Sequence, residues 1–166
     1  LIDAFKKLYQ LGIKNWELIL AGGQVGSDSQ LRDLQKMAKG YPIKFEVNPS
    51  FDKLKTLYGQ STLYWHASGF GVDEILNPEA VEHFGIATVE AMSAGAVPVV
   101  INKGGQKEII DSDSGFLWDN LSDLVEISQK LITKPKLINQ LAKNAPIRAQ
   151  RFNLEHFHQT FLTLLK

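Results

Sequence analysis

Two carboxylates eight positions apart, Glu82 and Glu90, flank a Phe84-Gly85 step that opens the apolar run Ile86 to Ala94. Ile86, Val89 and Met92 recur at helical spacing, and Gly95 followed by Pro98 supplies a stop, so the run predicts a helix from about Gly85 to Ala94. A helix N-terminus presents unpaired amides and the positive end of the peptide dipoles, which suits a phosphate. Gly85 carries no Cβ, which lets a ligand approach the backbone. The Glu90 side chain leans back toward the same end of the helix, and Glu82 stands just before it. The stretch therefore predicts an anion site between two hydrogen-bonding acids.

Each acid also has a plain structural role open to it. Glu82 can complement the helix dipole, and Glu90 can belong to an exposed stripe. However, no other charge occurs from Ile86 to Ile101. A lone acid in so apolar a run needs a partner if it is buried.

The elements that must position these residues alternate. Leu1, Ile2, Phe5, Leu8 and Tyr9 form a helical stripe, and Trp16 to Leu20 reads as a buried strand followed by the loop Ala21 to Gly26. Asp28 to Lys39 carries Leu31, Leu34 and Met37 at helical spacing, and Ile43 to Val47 is a second strand. A short helix over Phe51 to Tyr58, a strand over Thr62 to Trp65, a strand over Val97 to Ile101 and a short one over Gly115 to Trp118 follow. Three helices close the chain, near Leu121 to Thr133, Pro135 to Arg151 and Leu154 to Leu165. The last has Leu154, Phe157, Phe161 and Leu164 on one face, for which core packing is the default expectation. Glu108 is expected to begin a helix after Gly104-Gly105. The connection from His66 to Val81 is long, and its acids Asp73, Glu74 and Glu79 are expected to be solvated rather than catalytic.

Such alternation implies parallel strands with crossover helices: an α/β, Rossmann-like three-layer sandwich with a parallel sheet. In these folds ligands bind beyond the carboxyl ends of strands. Those positions here hold Gly22-Gly23, Asn48, His66 with Ser68, Glu82 to Ile86, and Gly104-Gly105. Gly22 and Gly23 allow a diphosphate to approach the backbone, though both can be plain turn residues. His66 can contact phosphate or acceptor, or be a hydrogen-bonded structural histidine.

The segment Glu82, Phe84-Gly85, Glu90, Ala94-Gly95, with Val97 to Val100 behind it and then Gly104-Gly105 and Glu108-Ile109-Ile110, resembles the donor-binding signature of group 1 retaining glycosyltransferases with the GT-B fold. The likeness runs in order through most of residues 1 to 118. It implies that the chain is the C-terminal, donor-binding half of a GT-B enzyme (EC 2.4), without metal or cofactor. Glu90 would hold the ribose hydroxyls and Glu82, as the catalytic-site acid, a donor-sugar hydroxyl. Backbone amides from Phe84 through Gly85 and Ile86 to Ala87 would hold phosphate or sugar oxygens, and Gly22, Gly23, His66 and Gly105 would complete the site. Trp65-His66 together with Glu82 to Ile86 is similar to some mannosyltransferases, which makes GDP-mannose the first expectation for the donor. The family has one more strand upstream, bearing an Arg and a Lys, and an N-terminal acceptor domain to which the final helix, 154–166, crosses. Neither basic residue stands here, so residues 1–166 alone are expected to be inactive.

Composition narrows the remaining classes. The 166 residues fit one domain, and 18 Lys plus Arg balance 18 Asp plus Glu, so no net charge draws the chain to nucleic acid. It has no cysteine, which is compatible with the cytoplasm, with a peripheral place at the membrane left open for the full-length protein. No His or carboxylate spacing suggests a metal. The rival reading is an NAD-type dinucleotide-binding domain, since Ala21-x-Gly23-x-x-Gly26 follows a strand and Glu46 ends the next one. That reading lacks the first glycine and leaves Glu82 and Glu90 unexplained. A non-catalytic nucleotide-sugar binding module is the other alternative.

Overall fold

The computed structural model describes residues 1–23 and 28–165. Of the loop expected over Ala21 to Gly26, residues 24–26 lie outside them. The chain forms an α/β fold with parallel strands, arranged as two compact units, Leu1–Leu57 and Tyr58–Lys166.

In the first unit, α1 (Ile2–Gln10) buries Ile2, Ala4, Phe5 and Leu8, the stripe visible in the sequence. Strands β1 (Leu18–Gly22) and β2 (Ile43–Val47) pair in parallel from Leu18 opposite Ile43 to Gly22 opposite Val47. The crossover between them is α2 (Asp28–Ala38). Leu34 and Met37 on this helix are exposed, and with Leu31 they line an open cavity rather than a closed core. Helix α3 (Phe51–Gln60) follows β2 after Asn48-Pro49, where Asn48 takes a positive φ of 49°.

The second unit is built on β4 (Val97–Ile101), every residue of which is buried. It lies between β3 (Leu63–His66) and β5 (Phe116–Trp118), both parallel to it. A proline inside a central strand removes a ladder donor. Val97 donates to the carbonyl of Thr62 on the β3 side, so by alternation Pro98 faces the β5 side. Pairing with β5 begins only one residue later, at Val99 opposite Phe116, and the missing donor therefore costs no bond. Gly115 packs against Pro98 there, where a Cβ would come within 2.5 Å of Pro98 Cγ.

Helix α4 (Ile86–Ser93) packs on α7 (Pro135–Ala149). Met92, Val100, Ile109, Ile110, Ala145 and Ala149 form one core cluster, with Tyr64, Val89, Leu117 and Phe152 against it. Between β4 and β5 lies the single turn α5 (Gln106–Ile109), which holds Glu108 inside it rather than at its start. Helix α6 (Leu121–Thr133) opens on a capping box of Asn120 and Asp123, and Pro135 starts α7.

The final helix, α8 (Leu154–Leu164), departs from the core-packing expectation. Leu154, Phe157, Phe161 and Leu164 are 70, 61, 49 and 80% exposed. Helical periodicity specifies an apolar face, but not that anything in the same chain covers it.

Candidate functional site

The site in the second unit starts from one backbone conformation. Gly85 caps α4 with φ 96° and ψ 51°, a left-handed conformation that other residues rarely adopt. This turn reverses the chain so that Glu82 folds back onto the helix start. Its Oε1 accepts from the Gly85 amide at 3.1 Å and, more weakly, from the Phe84 amide at 3.4 Å. Two of the four amides expected to face a ligand are thus held by Glu82 itself. The first-turn amides of Ile86 and Ala87 have no intrahelical acceptor, and they remain to take an anionic oxygen.

The glycine at position 85 also serves a purpose other than the one expected. Gly85 is buried, and a Cβ there would meet Gln106 Nε2 at 2.5 Å and Ile109 Cδ1 at 3.1 Å. The missing side chain makes room for the protein interior, not for a ligand from outside. Gly104 and Gly105 follow the same logic. A Cβ on Gly104 would lie 2.2 Å from the Glu82 carbonyl oxygen, and one on Gly105 would lie 2.2 Å from that of His83. Gly105 is buried, so close packing of two turns accounts for this glycine without a ligand.

Glu82 leaves its second oxygen toward the end of β3. His66 Nε2 lies 3.9 Å from Glu82 Oε2, close enough for electrostatic attraction and too far for a hydrogen bond. Burial pushes the His66 pKa below its ordinary value, with Glu82 opposing the shift. The imidazole is therefore neutral near pH 7, and its Nδ1 is buried without a hydrogen-bond partner among the described residues.

Glu90 is half-buried one turn into α4 and has the partner that its apolar surroundings demand: Tyr58, at the end of α3. Burial first, and then the adjacent Glu90 carboxylate with its hydrogen bond, push the Tyr58 hydroxyl up to about 12. Tyr58 therefore stays a neutral donor. Its ring also packs edge-on against Tyr64, with centroids 6.1 Å apart. The sequence reading did not single out Tyr58, and an isolated tyrosine near a helix end carries no local signal of such a role.

The long connection after His66 is not a loose loop. Lys103 Nζ donates to the carbonyl oxygens of Gly69, at 3.1 Å, and Val72. Glu74, expected to be merely solvated, accepts from the Gly104 amide at 3.0 Å and from Lys107 Nζ at 2.8 Å. These bonds hold its pKa below the ordinary carboxylate value. Asp73 Oδ1 accepts from the amides of Ile75 and Leu76, and His83 Nε2 bonds to the Pro78 carbonyl at 3.1 Å. The segment is braced against the turn after β4 by the two lysines that flank Gly104-Gly105. Nothing local marks those lysines, because their partners lie some thirty positions away.

In the first unit, Gly22 ends β1 and Gly23 follows it, and neither would bring a Cβ into hard contact. Both line a cavity of about 440 Å³ with Ile2, Leu31, Phe45 and Glu46. Glu46, the ribose acid of the dinucleotide reading, is paired with Lys53 at 3.4 Å, and Gly26 of that motif lies outside the described residues. Among the described residues no group of three His, Asp or Glu could hold a metal, and no helix is long and apolar enough to cross a membrane.

Comparison with known proteins gives the family of the chain. The family model for group 1 glycosyl transferases matches residues 1–148. The chain is 31% identical over 160 residues to the GDP-Man:Man(3)GlcNAc(2)-PP-Dol alpha-1,2-mannosyltransferase of Dictyostelium discoideum, covering 92% of this chain and 30% of that protein. It is likewise 31% identical over 159 residues to the Homo sapiens protein of the same name, covering 89% of this chain and 30% of that one. Among solved structures it matches Anabaena Alr3699/HepE in complex with UDP, with a TM-score of 0.76 and 25% identity over 99% of this chain and 43% of that chain. The chain thus spans about 30% of the length of the curated relatives.

Proposed function

The chain belongs to the group 1 glycosyl transferases, and we propose that it is the donor-binding half of a retaining enzyme that takes its sugar from a nucleoside diphosphate. The observation that carries this reading is the α4 N-terminus. Two free amides stand there between a carboxylate held at the helix cap and a second one partnered by a tyrosine. The Ile86 and Ala87 amides and the helix dipole stabilise the charge that develops on the leaving diphosphate. Glu90 accepts from the ribose hydroxyls, and Tyr58 keeps it oriented. Glu82 uses one oxygen to hold the turn and offers the other, facing His66, to a hydroxyl of the donor sugar. A separate N-terminal domain supplies the acceptor.

GDP-mannose is the donor we infer first, because relatives at 31% identity carry GDP-Man in their names. The reaction is then mannosyl transfer, by positioning and electrostatics without a metal. Calorimetry of the full-length protein with GDP, GDP-mannose, UDP, UDP-glucose and NAD tests the reading. GDP-mannose should bind tightest. Tighter binding of UDP-glucose would replace the sugar and nucleotide, and tighter binding of NAD would replace the whole proposal by the dinucleotide reading.

A further inference from the structure

Two further supports of the α4 N-terminal turn meet at one side chain, Arg148 of α7. Helix α5 is a single turn, too short to be held by its own hydrogen bonds. Its last carbonyls lack an intrahelical donor, and the Arg148 guanidinium supplies one to each. Nε donates to the Ile109 carbonyl at 2.8 Å and Nη2 to that of Glu108 at 2.5 Å. Asp111 Oδ2, 3.3 Å from Nε, holds the guanidinium in place. The fork thereby fixes Ile109, whose Cδ1 lies 3.1 Å from where a Cβ on Gly85 would stand, so this side chain is the floor under the residue that caps α4. The same guanidinium lies 5.6 Å from the ring centroid of Phe152, one helical turn further along, and steadies that ring. Phe152 in turn meets Phe84 edge-on, with centroids 5.9 Å apart and planes at 64°.

We infer that Arg148 is a positioning residue for the donor site. Through Ile109 beneath Gly85 and Phe152 beside Phe84, it sets the direction in which the Ile86 and Ala87 amides point. The inference rests on the donor reading above, and Arg148 acts through its neighbours rather than on the substrate. A residue serving the fold alone needs only to cap α5. Phe84 is 44% exposed, so its contact with Phe152 gains little by burial and mainly fixes where residue 84 lies. Glu82 holds the turn from the side of the site, accepting from the Gly85 amide at 3.1 Å, while the Arg148 contacts hold it from the interior. Such amides must keep their aim to within about 0.5 Å to grip an anionic oxygen. Arginine suits the place because its planar fork reaches two carbonyls at fixed angles, whereas a lysine is a single point charge.

The test uses calorimetry of the full-length protein with GDP and GDP-mannose, or with UDP and UDP-glucose should these bind tighter. Arg148→Lys keeps the charge and loses the fork. It should weaken nucleotide and nucleotide-sugar alike, by about tenfold, because the diphosphate is common to both. Phe152→Leu should weaken both by about two- to tenfold. Added to Phe84→Leu it should change affinity no further, since the ring it steadied is gone, and a role confined to stability cannot produce that coupling. Unchanged affinity in folded Arg148→Lys would overturn the inference and leave the guanidinium as a cap of α5. Additive effects of Phe84→Leu and Phe152→Leu would overturn it too. So would a loss confined to the nucleotide-sugar, which would place the effect on the sugar rather than on the amides. If Arg148→Lys does not fold, the phenylalanine cycle decides. Failure of the original chain to bind any of the four ligands would overturn the donor reading itself, and this inference with it.

Discussion

The Gly105 amide donates to the Glu82 carbonyl oxygen at 2.9 Å, tying the turn after β4 to the turn before α4. The two segments lie so close that the backbone of one occupies the side-chain space of the other. The same bond fixes the main chain of Glu82, whose side chain holds the amides of Phe84 and Gly85.

Two glycine substitutions separate packing from ligand approach. Gly105→Ala places a Cβ 2.2 Å from the His83 carbonyl oxygen, a backbone atom that cannot swing aside. Overpacking of this kind costs about 1–3 kcal/mol, visible as an earlier denaturant midpoint. Gly22→Ala meets nothing within 4 Å and should leave the midpoint within about 0.5 kcal/mol. If Gly22 admits a diphosphate, the same variant still weakens nucleotide binding. Equal stability of Gly105→Ala and the original chain would mean that the two turns are not interlocked as described.

The two carboxylates should differ in what they read. Glu90→Gln weakens GDP and GDP-mannose alike, because the ribose is common to both. Glu82→Gln weakens only GDP-mannose. A hydrogen bond to a charged group contributes roughly 1.5–3 kcal/mol, so each loss should be about ten- to over a hundred-fold. Tyr58→Phe should act in the same direction as Glu90→Gln and add little to it in the double variant, since the tyrosine works through that carboxylate. Circular dichroism must show that the variants are folded, and additive effects would disconnect Tyr58 from Glu90.

The pH dependence of stability follows from His66. Burial lowers its pKa from 6.5 in the folded chain. Below 6.5 the unfolded chain therefore binds more protons than the folded one, and stability rises with pH. That contribution is fully present above the ordinary histidine value and declines as pH falls through it. Denaturant midpoints measured between about pH 5 and 8 should climb toward neutrality, and His66→Gln should flatten the climb. A midpoint that falls as pH rises over the same window would show that the charged imidazole is favoured instead, with Glu82 outweighing burial.

Much of the fold was legible because its signals are local. Strand Val97–Ile101 and helix Leu121–Thr133 have the bounds expected from their apolar patterns. The α4 start was legible to within one residue, since a Phe-Gly step precedes an apolar run, whereas the left-handed φ of 96° at Gly85 was not read from it. Glu90 was recognisable as an acid needing a partner, since no second charge accompanies it from Ile86 to Ile101. The signature of the family rests on the same short-range features, which is why the sequence alone led to the group 1 glycosyl transferases.

What the sequence determined, then, is the order of elements, the approximate start of α4 and the pair of acids beside it, because backbone preference and periodicity depend on neighbours along the chain. Only the tertiary structure decided what those residues touch. It turned Gly85 and Gly105 from openings for a ligand into places where two turns interlock, and it set Glu82 on two of the amides expected to be free. It gave Glu90 its partner in Tyr58, braced the segment after His66 with Lys103 and Lys107, and left the apolar face of α8 exposed. Each of these depends on groups that lie far apart in sequence or on different elements. Periodicity marks a face or a turn, whereas contact between distant groups is fixed by how the packed elements meet.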